Sequence, residues 1–178
     1  LVGLALGLIL RLLILTLQIA GTIAAQSTSL AQLFGGAAAE PLPAIGHLLV
    51  VSGLALAAMA DLHVHVTAAL IGTYALIPAG TLVEPGALAE LGIGHVARAF
   101  ALAFTLASPF VIGALVYNLA LGAINRAMPL LMVAFVGAPA ITAAGLALLA
   151  ITAPLMLEVW HRALLATLAD PFAPPGAP

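Results

Sequence analysis

Five stretches of this chain, 12–39, 41–60, 62–83, 99–125 and 127–157, each run for 20 residues or more without a charged side chain. A helix needs about 20 apolar residues to cross a hydrocarbon core, so each run is long enough to do so. The runs are rich in Ala and Leu and lack the period-two alternation of polar residues that a membrane barrel requires. Only ten formal charges exist in 178 residues: four Arg, no Lys, two Asp and four Glu. The charged share is 6% against about a quarter in a soluble domain, too little to coat a water-facing surface. The expected fold is all-α and integral to a membrane, built of helical hairpins with broken or kinked helices. A nucleic-acid face is excluded because no basic cluster exists. The absence of Cys removes disulfides, thiol catalysis and zinc ribbons.

Charges and prolines predict where the runs stop. Segment 26–43 collects Gln, Ser, Thr, a Gly pair, Glu40 and two prolines, which ends the first helix near Ala25. Ala60-Asp61-Leu62-His63 reads as a tight hairpin between two apolar arms, and 78–90 as a polar connection. Segment 118–129, with Asn118, Gly122, Asn125, Arg126 and Pro129, suits a second tight turn between antiparallel helices. Asp170-Pro171 closes the last helix. About five helices result, in two hairpins plus a leading arm. The helical domain covers 1–168, and the proline-rich 169–178 reads as a disordered tail. Leu1 falls inside an apolar run without a basic region before it, which reads as a fragment rather than a signal peptide. Arg98, Arg126 and Arg162 flank successive runs, so a count along the chain gives no orientation.

Chemistry is thinly represented. His63 and His65 point about 200° apart on a helix, so with Asp61 they read as a polar turn and not a metal site. His47 and His95, single residues near helix starts, read as interfacial or hydrogen-bonded packing groups. Arg11 interrupts the first apolar run; a proton or substrate pathway and a snorkelling or inter-subunit role are its two readings. Glu158 and Arg162, four apart, form a helical ion pair. A secondary transporter would need polar groups converging mid-span, where Arg11 and Ser108 stand nearly alone. A membrane hydrolase would rest on Ser52 and His63. No residue set calls for a cofactor or a metal.

Packing signals are stronger. Gly3-Leu4-Ala5-Leu6-Gly7 is a G-x-x-x-G that lets helix backbones approach closely in an apolar medium. Small residues recur at Ala20, Gly21, Ala24 and Ala25. These faces are suited to contact with other helices.

At segment 118–129 a specific pattern emerges. Asn118-Leu119-Ala120-Leu121-Gly122-Ala123-Ile124-Asn125-Arg126, with Pro129 and then Phe135-Val136-Gly137-Ala138-Pro139, resembles the signature of the flagellar FliR family and its injectisome counterpart SctT. Gly3 and Gly7, the Ala20-Gly21 pair, His63, Leu76-Ile77-Pro78-Ala79-Gly80 and Pro109 agree in order. The usual Asn-Gly-His turn of that family is Asp61-Leu62-His63 here, and its Gln after the turn proline is Leu130.

The resemblance implies a non-enzymatic subunit of a type III export gate, lacking the N-terminal helices of the family. Its setting would be the bacterial inner membrane at the flagellar basal body. Its partners would be FliP-like, FliQ-like and FlhB-like subunits, membrane lipid and unfolded export substrates; no cofactor is implied. Segment 26–43 corresponds to a family loop that plugs the pore, with Gln26, Ser29, Leu33, Phe34, Gly35 and Gly36 as its candidate residues. An ordinary polar connection is the other reading of the same segment.

Overall fold

The computed structural model describes residues 2–29, 44–78, 80, 84–127 and 133–173. They form five helices: α1 (Val2–Ser29), α2 (Ala44–Met59), α3 (Leu62–Leu76), α4 (Pro85–Ala127) and α5 (Val133–Ala169). Three of these are long and apolar enough to cross a membrane, and the α2–α3 pair would make a fourth span if taken together. The chain is an all-helical membrane protein.

The buried face of α1 explains why it lies at the centre. Leu6, Ile9, Leu13, Leu17, Ala20 and Ala24 are buried at helical spacing, and α1 packs chiefly on α4 and α2. On α4 the matching stripe is small, with Ala99, Ala103 and Ala107, followed by Phe110. Alanines let two helices approach closely in a medium where apolar burial alone gives little drive. Leu149, Met156, Trp160, Leu164 and Leu168 of α5 complete the core. Trp160, 1% exposed, donates its indole Nε1–H to the carbonyl of Leu13 at 2.8 Å, tying α5 to α1.

Several expected boundaries shift, with a common physical cause. α1 runs past Ala25 to Ser29. Thr22 donates to the Gln18 carbonyl at 2.9 Å and Ser27 to that of Ile23 at 2.7 Å. Hydroxyls that return to the backbone four residues earlier can stay in a helix within an apolar medium. α4 starts at Pro85, where a missing N–H removes no helical bond, so Glu90 is helical and not in a connection. Asn118, Gly122, Asn125 and Arg126 lie inside α4, so the expected break does not begin at Asn118. Freed backbone groups cost several kcal/mol in lipid, whereas Gly in a helix costs about 1 kcal/mol. The segment between α4 and α5, including Pro129, lies outside the described residues.

The first expected hairpin is a bend. α2 and α3 diverge by 73° and do not fold back antiparallel. The bend is made by Asp61, whose φ of 55° and ψ of 41° place it in the left-handed region. Its carbonyl accepts the amides of Val64 at 2.9 Å and His65 at 3.2 Å, starting α3.

α4 also contains Pro109. Proline cannot donate to the carbonyl four residues back, that of Thr105. The hydroxyl of Ser108 donates to that carbonyl instead, at 2.8 Å. Ser108 is therefore a helix-repair group, which weakens further the alternative reading as a transporter.

Candidate functional site

The family-like segment forms an unpartnered helical face. Asn118, Gly122, Asn125 and Arg126 fall at positions i, i+4, i+7 and i+8, which share one side of a helix. All four are exposed, and a side chain added at Gly122 would meet nothing within 4 Å. No described residue of α4 beyond Ala114 is buried. Leu115, Val116 and Leu119 there are 60 to 67% exposed, an apolar surface that the other described residues do not cover. Gly137 and Pro139 fall in the first two turns of α5.

The glycines divide sharply. A Cβ on Gly21 would lie 2.2 Å from the Cα of Gly46, so α1 and α2 cross there backbone to backbone. Gly53, one heptad after Gly46, faces Leu17 and Trp160, and a Cβ there would meet Leu17 Cδ1 at 2.5 Å. Gly21 thus sits at a close helix crossing. Gly3 and Gly7 have no such crossing among the described residues: Gly7 has open space, and Gly3 reaches only Leu70 at 3.9 Å. Gly46 and Gly53 were missed by sequence reasoning, although their seven-residue spacing in one apolar run was the available signal.

Most of the ionisable side chains gather at the other end. His95 is buried and its Nε2–H donates to the carbonyl of Pro171 at 3.0 Å; the carbonyl only accepts, which fixes the ring proton. Arg98 donates to the Ala173 carbonyl at 3.2 Å. His95 is therefore a hydrogen-bonded packing residue, and 171–173 are held against α4, unlike the disordered tail expected there. A cavity of about 160 Å³ beside them is lined by Ile9, Leu13, Arg98, Leu102, Ala163 and Thr167, among others. A larger cleft of about 580 Å³ runs between α3 and the end of α5, past His65, Thr73, Leu168 and Asp170. Asp61, His63, His65 and Arg11 are exposed. Glu158 and Arg162 form the expected ion pair on the surface of α5. His161 was not singled out from the sequence, and its Nδ1 is buried without a hydrogen-bond partner among the described residues.

Of the candidate plug residues, Gln26 is exposed on α1 and Ser29 is its last helical residue. Leu33, Phe34, Gly35 and Gly36 lie outside the described residues. Among the described residues, no three His, Asp or Glu side chains are grouped so as to hold a metal ion.

Residues 1–167 match the family described as "Bacterial export proteins, family 1". The chain belongs to this family. It is 35% identical over 162 residues to a protein of Caulobacter vibrioides called "Flagellar biosynthetic protein FliR". That match takes in 90% of this chain and 64% of the relative, so the chain spans just under two thirds of that protein's length. Membership places the chain among bacterial export proteins. It also gives the α4 face a context, because Asn118, Gly122, Asn125 and Arg126 all fall within the matched region.

Proposed function

We propose that this chain is a subunit of a type III protein export gate in the bacterial inner membrane. It assembles there with FliP-like, FliQ-like and FlhB-like subunits into a channel for unfolded flagellar proteins. The family match and the name of the Caulobacter relative support the setting. The observation that carries the assembly is α4 beyond Ala114: 13 residues, 115–127, none of them buried. Lipid could cover Leu115, Val116 and Leu119, but not the stripe of Asn118, Asn125 and Arg126. An Arg in hydrocarbon costs at least a few kcal/mol, and amide groups there need partners. Neighbouring helices that offer carbonyls or an acid satisfy both kinds of group.

A reading as a secondary transporter has less support. Ser108 is used within its own helix, and Arg11 faces outward from α1.

The test is affinity purification of the tagged full-length gene product from membranes, with and without genes for the partner subunits. With partners, a discrete complex should be recovered. Alone, the chain should be degraded or should aggregate in detergent. A stable, monodisperse monomer obtained alone would count against a gate subunit. For the 26–43 segment, deleting 35–39 in the assembled complex should make the membrane leaky to small ions. Unchanged conductance in an intact complex would make that segment a connector only.

A further inference from the structure

The cleft of about 580 Å³ between α3 and the end of α5 has a small, apolar floor. Ala68, Ala69 and Gly72 come from α3, and Leu165, Leu168 and Ala169 from α5. A Cβ on Gly72 would meet nothing within 4 Å, so the space is open there. Three polar side chains join the lining: His65, Thr73 and Asp170. Thr73 is buried and donates to the Leu70 carbonyl at 2.6 Å, which leaves its oxygen lone pairs free to accept. His65 and Asp170 are exposed, and among the described residues neither side chain has a hydrogen bond or an ion pair.

The helices that carry these groups set their depth. Segment 140–169 of α5 is long and apolar enough to span, and Asp170 is the first residue beyond it. The end of a span lies where hydrocarbon gives way to headgroups. α3 leaves the line of α2 by 73°, so it crosses the direction of the spans more than it follows it. Its side chains therefore stay near one depth, that of the last turns of α5. Leu168 and Leu165 lie about 3 and 8 Å inward of Asp170, at 1.5 Å per residue. The cleft thus has a polar rim at headgroup depth and an apolar interior at chain depth.

A partner helix is a poor fit to this space. A helix about 10 Å across fills roughly 400 Å³ per turn, so the cleft holds little more than one turn. An alkyl chain bends to fill such a volume. At the rim, a carboxylate and an imidazole are joined by no second cation of this lining. An anionic headgroup would be repelled by Asp170, whereas a primary ammonium beside a phosphate suits both groups. The ammonium donates to the Asp170 carboxylate and the Thr73 oxygen, and a phosphate oxygen accepts from a ring N–H of His65. We infer that the cleft binds one phospholipid with a zwitterionic, primary-ammonium headgroup, of the phosphatidylethanolamine type. This site needs only the membrane setting and stands whether or not the export-gate reading holds.

The test uses the full-length gene product in the assembly in which it is recovered from membranes. It is placed in nanodiscs of equal parts phosphatidylethanolamine, phosphatidylcholine and phosphatidylglycerol, then released into mild detergent, and the retained lipid is counted by native mass spectrometry. One phosphatidylethanolamine per copy of this chain should be kept in preference to the other two. Asp170→Asn should lower its preference over phosphatidylglycerol about tenfold, the worth of one charge-assisted hydrogen bond. Gly72→Leu, which places a side chain in the open cleft, should lose that lipid, whereas Ala97→Leu on the exposed face of α4 should keep it. Asp170 is exposed, so its variant decides the matter even if Gly72→Leu fails to fold. Equal retention of the three lipids by the parent, or unchanged selectivity in Asp170→Asn, would overturn the assignment. So would disulfide cross-linking of Ala68→Cys to a partner subunit, which would make the cleft a protein interface.

Discussion

The hydroxyl of Ser108 donates, at 2.8 Å, to the carbonyl of Thr105 that Pro109 leaves without its helical donor. Two adjacent residues therefore act as one device: the proline loosens the helix and the serine closes the polar gap. Ser108→Ala should destabilise the folded chain by about 1–2 kcal/mol, the usual cost of stranding an acceptor away from water. In a Pro109→Ala background the amide of residue 109 returns to that carbonyl, so the same serine change should cost almost nothing. A double-mutant cycle followed by denaturation in detergent measures the coupling; additive effects would mean the two residues act separately.

Trp160 should be the most sensitive single core position. Its ring lies against Gly53, and its Nε1–H is bonded to Leu13. Trp160→Ala should cost about 3–5 kcal/mol, from the cavity and the lost contacts together. Trp160→Phe keeps much of the volume and should cost less. It is the only tryptophan, so its emission in the unaltered chain reports unfolding without labels. Helical circular dichroism follows the variants.

The two kinds of glycine should respond in opposite ways. Gly21→Ala cannot be accommodated without separating α1 from α2, because the nearest atoms to the new methyl are backbone. Loss of folded protein is the expected result. Gly7→Ala meets nothing among the described residues and raises helix propensity by about 1 kcal/mol, so it should be neutral or stabilising. Proteolytic resistance of the two variants, compared side by side, checks the contrast.

Asp61 occupies a conformation that costs most L-residues roughly 1–2 kcal/mol and that Gly adopts freely. Asp61→Gly should keep the bend and leave stability equal or slightly higher. Asp61→Val should lower it by about 1–2 kcal/mol, since a β-branched side chain is strained in the left-handed region. Thermal melts should place the Val variant below the parent and the Gly variant level with it or above it.

The type and number of the helices were legible in the sequence because long uncharged runs admit few alternatives, but their lengths were not: α4 runs through Glu90, Arg98 and Arg126. Gly21 was legible as a packing residue, since small residues surround it. The 118–126 segment was recognisable as a motif but not as helix. Its Asn and Gly are turn formers in water, and lipid reverses that preference by making an open backbone costly. The small cavity shared by Leu13, Arg98 and Ala163 was hidden for another reason: its lining comes from three helices that lie far apart along the chain. Trp160 gave no periodic signal, because its donor bond joins residues 147 positions apart.

The clasp of His95 on Pro171 has a consequence in time. Its two members are separated by 76 residues, an interval that takes about 4 to 15 s to translate at 5–20 residues per second. During that interval α4 must wait in the membrane with an imidazole that has not yet met its acceptor. An insertion factor or a protease that scans nascent chains for exposed polar groups has those seconds in which to act. The clasp therefore separates a finished chain from one whose synthesis stopped before residue 171.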